Sequence, residues 1–400
     1  MTEVMNILIF TSLFPNCEQP DFGIFVFQRI LHLARRPGAL VQVVAPVPYF
    51  PSWITSSRWA KYGLLPREES VENLRVYHPR YPLLPALLMP LHGLLMFVGS
   101  FLLVRRLHRQ FRFDCIDAHY VYPDGFAAAL LGKLLGLPVV VSARGSDINV
   151  FPSFPSIRPL IVWSLRKAVG IIAVSNSLKN AMVSLGLPAS KICVIPNGVD
   201  TNRFHQIPQT EARQTLGLPK DVKIVVSVAS LTAGKNHPLL ITAFAKMLGK
   251  RRGAKLLIIG DGPLRPALQE LIFKLRLQKE VTLVGARPNQ ELVLWYSAAD
   301  VSCLVSSREG WPNVIMESIA CGTPVVATRV GGVPEIIYSS ELGLLAEQES
   351  DSIATELSSA LVKTWDRNAL AVHAQSRGWN EVAGEVEQYL SSRVSHDGHV

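Results

Sequence analysis

Two glutamates stand with seven residues between them in Glu309-Gly310-Trp311-Pro312-Asn313-Val314-Ile315-Met316-Glu317. Proline lacks an N–H and favours the first helical position, so a helix is expected from near Pro312, with the N–H groups of Asn313 and Val314 facing out of its positive end. A phosphate is welcome at such an end. Gly322 marks the stop, and residues 324–328 read as a buried strand. Glu309 in the loop and Glu317 within the helix can then address opposite ends of one ligand. A lone glutamate is usually a solvated surface acid, but the glycines and prolines here specify a shape that a plain surface helix does not need. A second chemical stretch is Ser230-Leu231-Thr232-Ala233-Gly234-Lys235-Asn236. A lysine on a glycine-containing loop after a strand is placed to neutralise a diphosphate; read alone, it is also compatible with an ordinary exposed lysine.

These loops need strands to hold them. Apolar runs without alternation recur at residues 6–12, 40–45, 115–119, 138–142, 171–175 and 192–195, separated by helical segments. A second series follows at 223–228, 255–260, 281–285, 301–305 and 324–328. Such runs predict parallel sheets buried on both faces. The fold class is therefore α/β: two doubly wound, Rossmann-like domains facing each other across a cleft. The turn chemistry of Pro196-Asn197-Gly198-Val199-Asp200 divides them, giving domains 1–200 and 201–378, with a last helix at about 379–395. The glycine fingerprint of a dinucleotide site does not follow the first strand, which weighs against a dehydrogenase. Other strand ends carry Gly23 in the loop before a helix, His119, Arg144 to Asp147, Gly260-Asp261-Gly262-Pro263 and Arg287. The 260–263 stretch fits equally a ligand-facing loop and a plain turn, and a strand-end histidine such as His119 is often structural.

Residues 1–200 hold 19 Lys and Arg against 11 Asp and Glu, and residues 201–400 hold 21 against 20, so the basicity belongs to the first half. That suits an anionic surface or substrate. Zinc spacings, arginine-rich tracts and RNA-binding aromatic runs are not seen, so no nucleic-acid partner is expected. The five cysteines are odd in number and mostly set in apolar runs, which reads as buried thiols in a reducing compartment. The N-terminal apolar run is soon broken by Pro15 and reads as a first strand, not a signal peptide. Residues 82–104 are nearly all apolar and end in Arg105-Arg106-Leu107-His108-Arg109. Pro85 and Pro90 leave only 91–104 as uninterrupted helix, too short to cross a bilayer. A buried helix, a helix lying in the membrane surface and a span are the three readings.

The stretch Glu309-Gly-x-Pro-Asn-Val-x-x-Glu317-Ser-x-Ala-x-Gly322-x-Pro-Val-Val-Ala-Thr328, extended by Gly331-Gly332-Val333-Pro334-Glu335, resembles the donor-site motif of retaining glycosyltransferases of family 4, which have the GT-B fold. The resemblance runs from Ile7 to about Leu390. It implies transfer of a sugar, with retention, from a nucleoside diphosphate donor of UDP or GDP type. No metal and no further cofactor is implied, and Asp-x-Asp ligand spacing is missing. Glu309 and Lys235 are implied as catalytic. Gly23, Ser230, Gly260, Gly262, Arg287, Gly310, Pro312, Asn313, Val314 and Glu317 are implied around the donor, Glu317 on the ribose hydroxyls. His119, Arg144 and Asp147 fall on the acceptor or sugar side. The chain departs from the family at two positions: Ser230 stands where an arginine is usual, and Arg144 where many relatives have histidine. The resemblance and the basic, apolar first half together imply a lipid-linked or polysaccharide acceptor, cell-surface or exopolysaccharide biosynthesis, and a cytoplasmic site of action with contact to an anionic membrane in view. Epimerases and phosphorylases of the same architecture, and an inactive sugar-nucleotide binder, are the alternatives.

Overall fold

The computed structural model describes residues 4–49, 61–83, 89–250 and 253–394. The chain forms two units, Met1–Asn197 with Trp379–Val400, and Gly198–Gly378. The division falls after Asn197, within the 196–200 turn, and not after Asp200.

Among the described residues of the first unit, eight strands form one sheet in the order Ile192–Val194, Gly170–Ala173, Val139–Ala143, Cys115–His119, Met5–Phe10, Ala39–Val44, Leu74–Tyr77 and Glu68–Val71. All neighbours are parallel except the last pair. That hairpin corrects the expectation of a wholly parallel sheet. Its strand Glu68–Val71 alternates between exposed and half-buried residues, so it has no apolar run to betray it. Glu72 and Asn73 both take positive φ, 49° and 68°, as a two-residue hairpin turn requires. A further parallel pair, Val47–Tyr49 with Arg80–Pro82, stands apart from the sheet.

The core beneath the sheet joins Ile7, Ile9, Val43, Cys115 and Val140 to Ile30 and Leu33 of the helix Ile24–Ala34. Trp379, Val382, Val386 and Leu390 of the final helix, Trp379–Val394, complete that core. The Tyr389 hydroxyl accepts from the Ile171 N–H at 3.2 Å, and Arg36 pairs with Glu387.

The apolar 82–104 segment is partly outside the described residues, Pro85 included. From Met89 a single turn leads into the helix His92–Phe111. It runs on through the arginines that sequence reasoning had placed beyond its end, and with its first turn it is long and apolar enough to cross a membrane. Its inner face, Gly93, Met96, Ser100, Val104 and Leu107, is buried and packs on the helix Phe126–Leu135 and the strand Arg80–Pro82. Its outer face is not: Leu91, Leu94, Val98 and Leu102 are exposed, Leu102 by 75%. The reading as a fully buried helix is therefore corrected to a helix buried on one side.

The second unit has six parallel strands in the order Val281–Gly285, Ala254–Ile259, Lys223–Val228, Val301–Leu304, Val325–Thr328 and Gly343–Ala346. Counted along this unit the order is 3-2-1-4-5-6, in which ligands bind where the order reverses, beyond the carboxyl ends of the first and fourth strands. Alternate residues feed two cores: Val226, Ile259, Leu304 and Ala327 on one face, Val225, Ile258, Cys303 and Val326 on the other.

Candidate active site

The reversal point of the second sheet lies between the loops after Val228 and after Leu304, and these two loops are tied together. The Ser307 N–H and its hydroxyl both donate to the Gly234 carbonyl, at 2.9 and 3.2 Å. The tie sets Lys235 opposite Glu309, and the ammonium donates to Oε1 at 2.5 Å. The lysine remains partly exposed while the glutamate is mostly covered. Close packing holds the Glu309 backbone in turn. A Cβ on Gly331, whose φ is 52°, would stand 1.9 Å from the Glu309 carbonyl oxygen, so only glycine fits there.

The helix beyond the loop is Asn313–Ala320. Pro312 caps it with an extended ψ of 99°, one position earlier than expected, and Asn313 is the first helical residue. Gly310, Pro312 and Asn313 are buried, and Val314 is half-buried. The helix ends as its glycine predicts: with Gly322 at φ 71°, the Gly322 N–H donates to Ile319 O and the Thr323 N–H to Ser318 O. Glu317 is 3% exposed and accepts from the Tyr296 hydroxyl at 3.2 Å. Burial pushes its carboxyl up to about 7, against the Tyr296 hydrogen bond and the Arg203 charge, which pull it down.

The remaining donor-side residues take separate places. Ser230 is exposed, its hydroxyl 3.4 Å from that of Thr232, and it supplies no charge beside Lys235. Gly260 and Gly262 have φ of 143° and 159°, and Cβ atoms there would meet Ala229 O at 2.0 Å and Leu231 O at 2.6 Å. Their type is thus set by close packing of one loop on its neighbour. Arg287 is exposed, its guanidinium carbon 5.8 Å from the centre of the Trp295 ring.

Among the first-unit candidates, Gly23 precedes the helix Ile24–Ala34 at φ 66°, where a Cβ would lie 2.4 Å from Leu13 O. His119, Arg144 and Asp147 are brought together, in a network directed inward. Arg144 donates to Asn197 Oδ1 at 3.0 Å and to His119 Nδ1. His119 Nε2 lies 3.2 Å from Asp117 Oδ2, though out of line for a hydrogen bond. Asp117 also takes Arg29 at 3.2 Å. Burial and the Arg144 charge push His119 down to about 4, so the ring is neutral and can accept from Arg144. Burial alone would raise Asp117; His119, Arg29 and Arg144 outweigh it and hold the carboxyl at about 2. Burial, with Arg29 nearby, lowers Arg144 to about 9. Asp147 accepts from the N–H groups of Val121, Arg144 and Gly145 at 2.9, 3.1 and 2.7 Å. His119 and Asp147 are both fully buried, and both tie strand ends together.

Sequence reasoning missed Tyr296 and Ser307, whose roles arise only from the tertiary contacts described. It also missed His237, 1% exposed with neither ring nitrogen hydrogen-bonded and pushed down to about 4 by burial and by Lys235. Among the described residues, no three or more His, Cys, Asp or Glu converge to hold a metal ion.

Residues 59–203 match the family described as Glycosyltransferase Family 4, and residues 208–377 the one described as Glycosyl transferases group 1. A putative teichuronic acid biosynthesis glycosyltransferase of Bacillus subtilis, TuaC, is 29% identical over 362 residues, 88% of this chain and 87% of that one. The N-acetyl-alpha-D-glucosaminyl L-malate synthase of Bacillus anthracis is 30% identical over 236 residues, 58% of this chain, which spans 61% of that enzyme's length. Among solved structures, HepE of Anabaena in complex with UDP and glucose superposes with a TM-score of 0.72 at 22% identity, covering 97% of this chain and 100% of that one. With these matches over both units and the paired parallel sheets, the chain belongs to the family 4 glycosyltransferases and has their two-domain GT-B fold.

Proposed function

We propose that this glycosyltransferase moves a sugar, with retention, from a nucleoside diphosphate sugar of UDP or GDP type to a lipid-linked or polysaccharide acceptor in cell-surface polysaccharide biosynthesis. The observation that carries the donor half is the Lys235–Glu309 pair at the reversal point of the second sheet, beside the start of the helix Asn313–Ala320. As the bond from the anomeric carbon to the diphosphate oxygen breaks, negative charge grows on the leaving group. Lys235 and the positive helix end answer it. The acceptor oxygen forms the new bond on the same face and its proton passes to the departing diphosphate. Glu309 holds sugar hydroxyls, and Glu317 accepts from the ribose. HepE, a structural neighbour, holds UDP and glucose, which favours UDP. TuaC, named for teichuronic acid biosynthesis, favours a polymer-building acceptor.

The acceptor half rests on the first unit. Along the helix His92–Phe111 the exposed Leu94, Val98 and Leu102 share a face with Arg105 and Arg109, which are also exposed. An apolar stripe continued by arginines fits a helix lying in an anionic membrane surface, on the cytoplasmic side where nucleotide sugars are made.

A thermal-shift series with UDP, GDP and ADP and their sugars tests the donor reading. One nucleotide sugar should raise the melting temperature in a concentration-dependent way, and no response to any of them would sink it. Transfer should be unchanged by EDTA; a rate restored by Mg2+ would remove the metal-free mechanism.

A further inference from the structure

The first sheet has its own reversal point, between Met5–Phe10 and Cys115–His119, and to one side of it a cavity of about 400 Å3 opens beyond the carboxyl ends of Met5–Phe10, Ala39–Val44 and Leu74–Tyr77. Its wall includes Ser12 and Phe14 after the first of these strands, Pro123 after the second, and Val47 and Tyr81 from the short parallel pair. Among the described residues, no Asp, Glu, Lys or Arg lines it.

Three polar residues of the wall already have partners. The His78 ring meets Ala45 O at 2.9 Å through Nδ1 and Glu69 Oε1 at 2.7 Å through Nε2. The Ser12 hydroxyl donates to Asp124 Oδ2 at 3.1 Å, and Asn16 Oδ1 accepts from the Glu18 N–H at 3.1 Å. A sugar placed in this wall would lose water from its hydroxyls against groups already committed elsewhere, at a cost. A hydrocarbon chain would lose nothing and gain its apolar burial.

One side of the cavity is closed by Met89 and His92, at the head of the helix His92–Phe111. Within one turn of them the exposed Leu91 and Leu94 begin the outward stripe that ends among arginines. The stripe thus begins beside the cavity, with cations further along it for lipid phosphates.

We propose that this cavity takes the hydrocarbon portion of the acceptor, an acyl or isoprenoid chain next to the group that receives the sugar. The proposal rests on the lipid-linked acceptor reading and narrows it, since a purely polysaccharide acceptor has nothing to place there.

Titration calorimetry with glucose and with hexyl, octyl and decyl β-glucosides, each below its micelle threshold, tests it on the full chain. Affinity should rise about fourfold per added methylene until the cavity is filled. Ala45→Leu, which narrows the space, should stop the gain at a shorter chain; Val47→Ala, which widens it, should extend the gain. If Ala45→Leu does not fold, Val47→Ala decides alone. The proposal is overturned if glucose binds as tightly as its alkyl glucosides. It is overturned too if the folded cavity variants leave the limiting chain length where it was, or if Leu102→Ser abolishes the gain, which would put the chain on the outer stripe. A protein that binds a nucleotide sugar but ignores the alkyl chain loses the cavity proposal alone. One that shows the alkyl series without nucleotide binding keeps the cavity and loses the transferase reading.

Discussion

Glu309 and Lys235 hold each other across two loops at 2.5 Å, so each neutralises the other until a donor arrives with charge of its own. Removing either should therefore do different things. Glu309→Ala should lower transfer by on the order of a hundredfold or more while the nucleotide still binds, because the contacts proposed for it are to the sugar in the reacting state. Lys235→Ala should weaken nucleotide binding and turnover together. Steady-state rates beside nucleotide titrations separate the two, and equal loss of binding in both variants would contradict the division of roles. Glu317 makes a pH prediction. Its carboxyl, at about 7 in the fold against 4.5 unperturbed, keeps a proton that the unfolded chain gives up. Stability consequently falls as pH rises from about 4.5 to about 7, with the whole penalty present above that. Glu317→Gln should melt with wild type at pH 4.5 and above it at pH 8, by on the order of 2 kcal/mol; a gain independent of pH would assign the effect elsewhere. Glu309, Lys235 and Glu317 were legible because their chemistry is written in spacing and in neighbouring glycines and prolines. Tyr296, Ser307 and the burial of His119 and Asp147 were not, since each depends on a residue far along the chain.

The element most altered by the structure is the helix His92–Phe111. Sequence composition shows its apolar content but not which side faces inward, and the end of the apolar run at Val104 concealed its extension through the arginines. With Leu94, Val98 and Leu102 outward, the protein should sediment with vesicles containing anionic lipid at low salt. Leu102→Ser and Arg105→Glu should each reduce the bound fraction severalfold, and binding should fall as salt screens the arginines. Sedimentation indifferent to both variants and to salt would remove the helix from the interface. The hairpin of Glu68–Val71 and Leu74–Tyr77 was hidden for the opposite reason: an edge strand needs no apolar run, only a neighbour to pair with.

At the scale of the molecule, buried parallel strands betray themselves as apolar runs, and both sheets were legible on that ground. The final strand, Gly343–Ala346, was too short and too half-buried to stand out. The last helix matters more than its position suggests. Trp379, Val382, Val386 and Leu390 lie in the core of the first unit, and at roughly 1.5–3 kcal/mol for a large buried apolar side chain their loss rivals the whole stability of a domain. Truncation after Gly378 should therefore unfold the first unit while the second keeps its cooperative melting and its nucleotide shift. Survival of both transitions would show that the helix is dispensable.

The first unit is assembled from both ends of the chain, with Gly198–Gly378 inserted between them. A ribosome adding about 5–20 residues per second needs about 10–40 s to travel from residue 197 to the end of the final helix. For that time the larger sheet waits with an open flank, while the inserted unit is being made. The unit begun second is thus the first to be complete, and the unit begun first is sealed only by the last helix to be made.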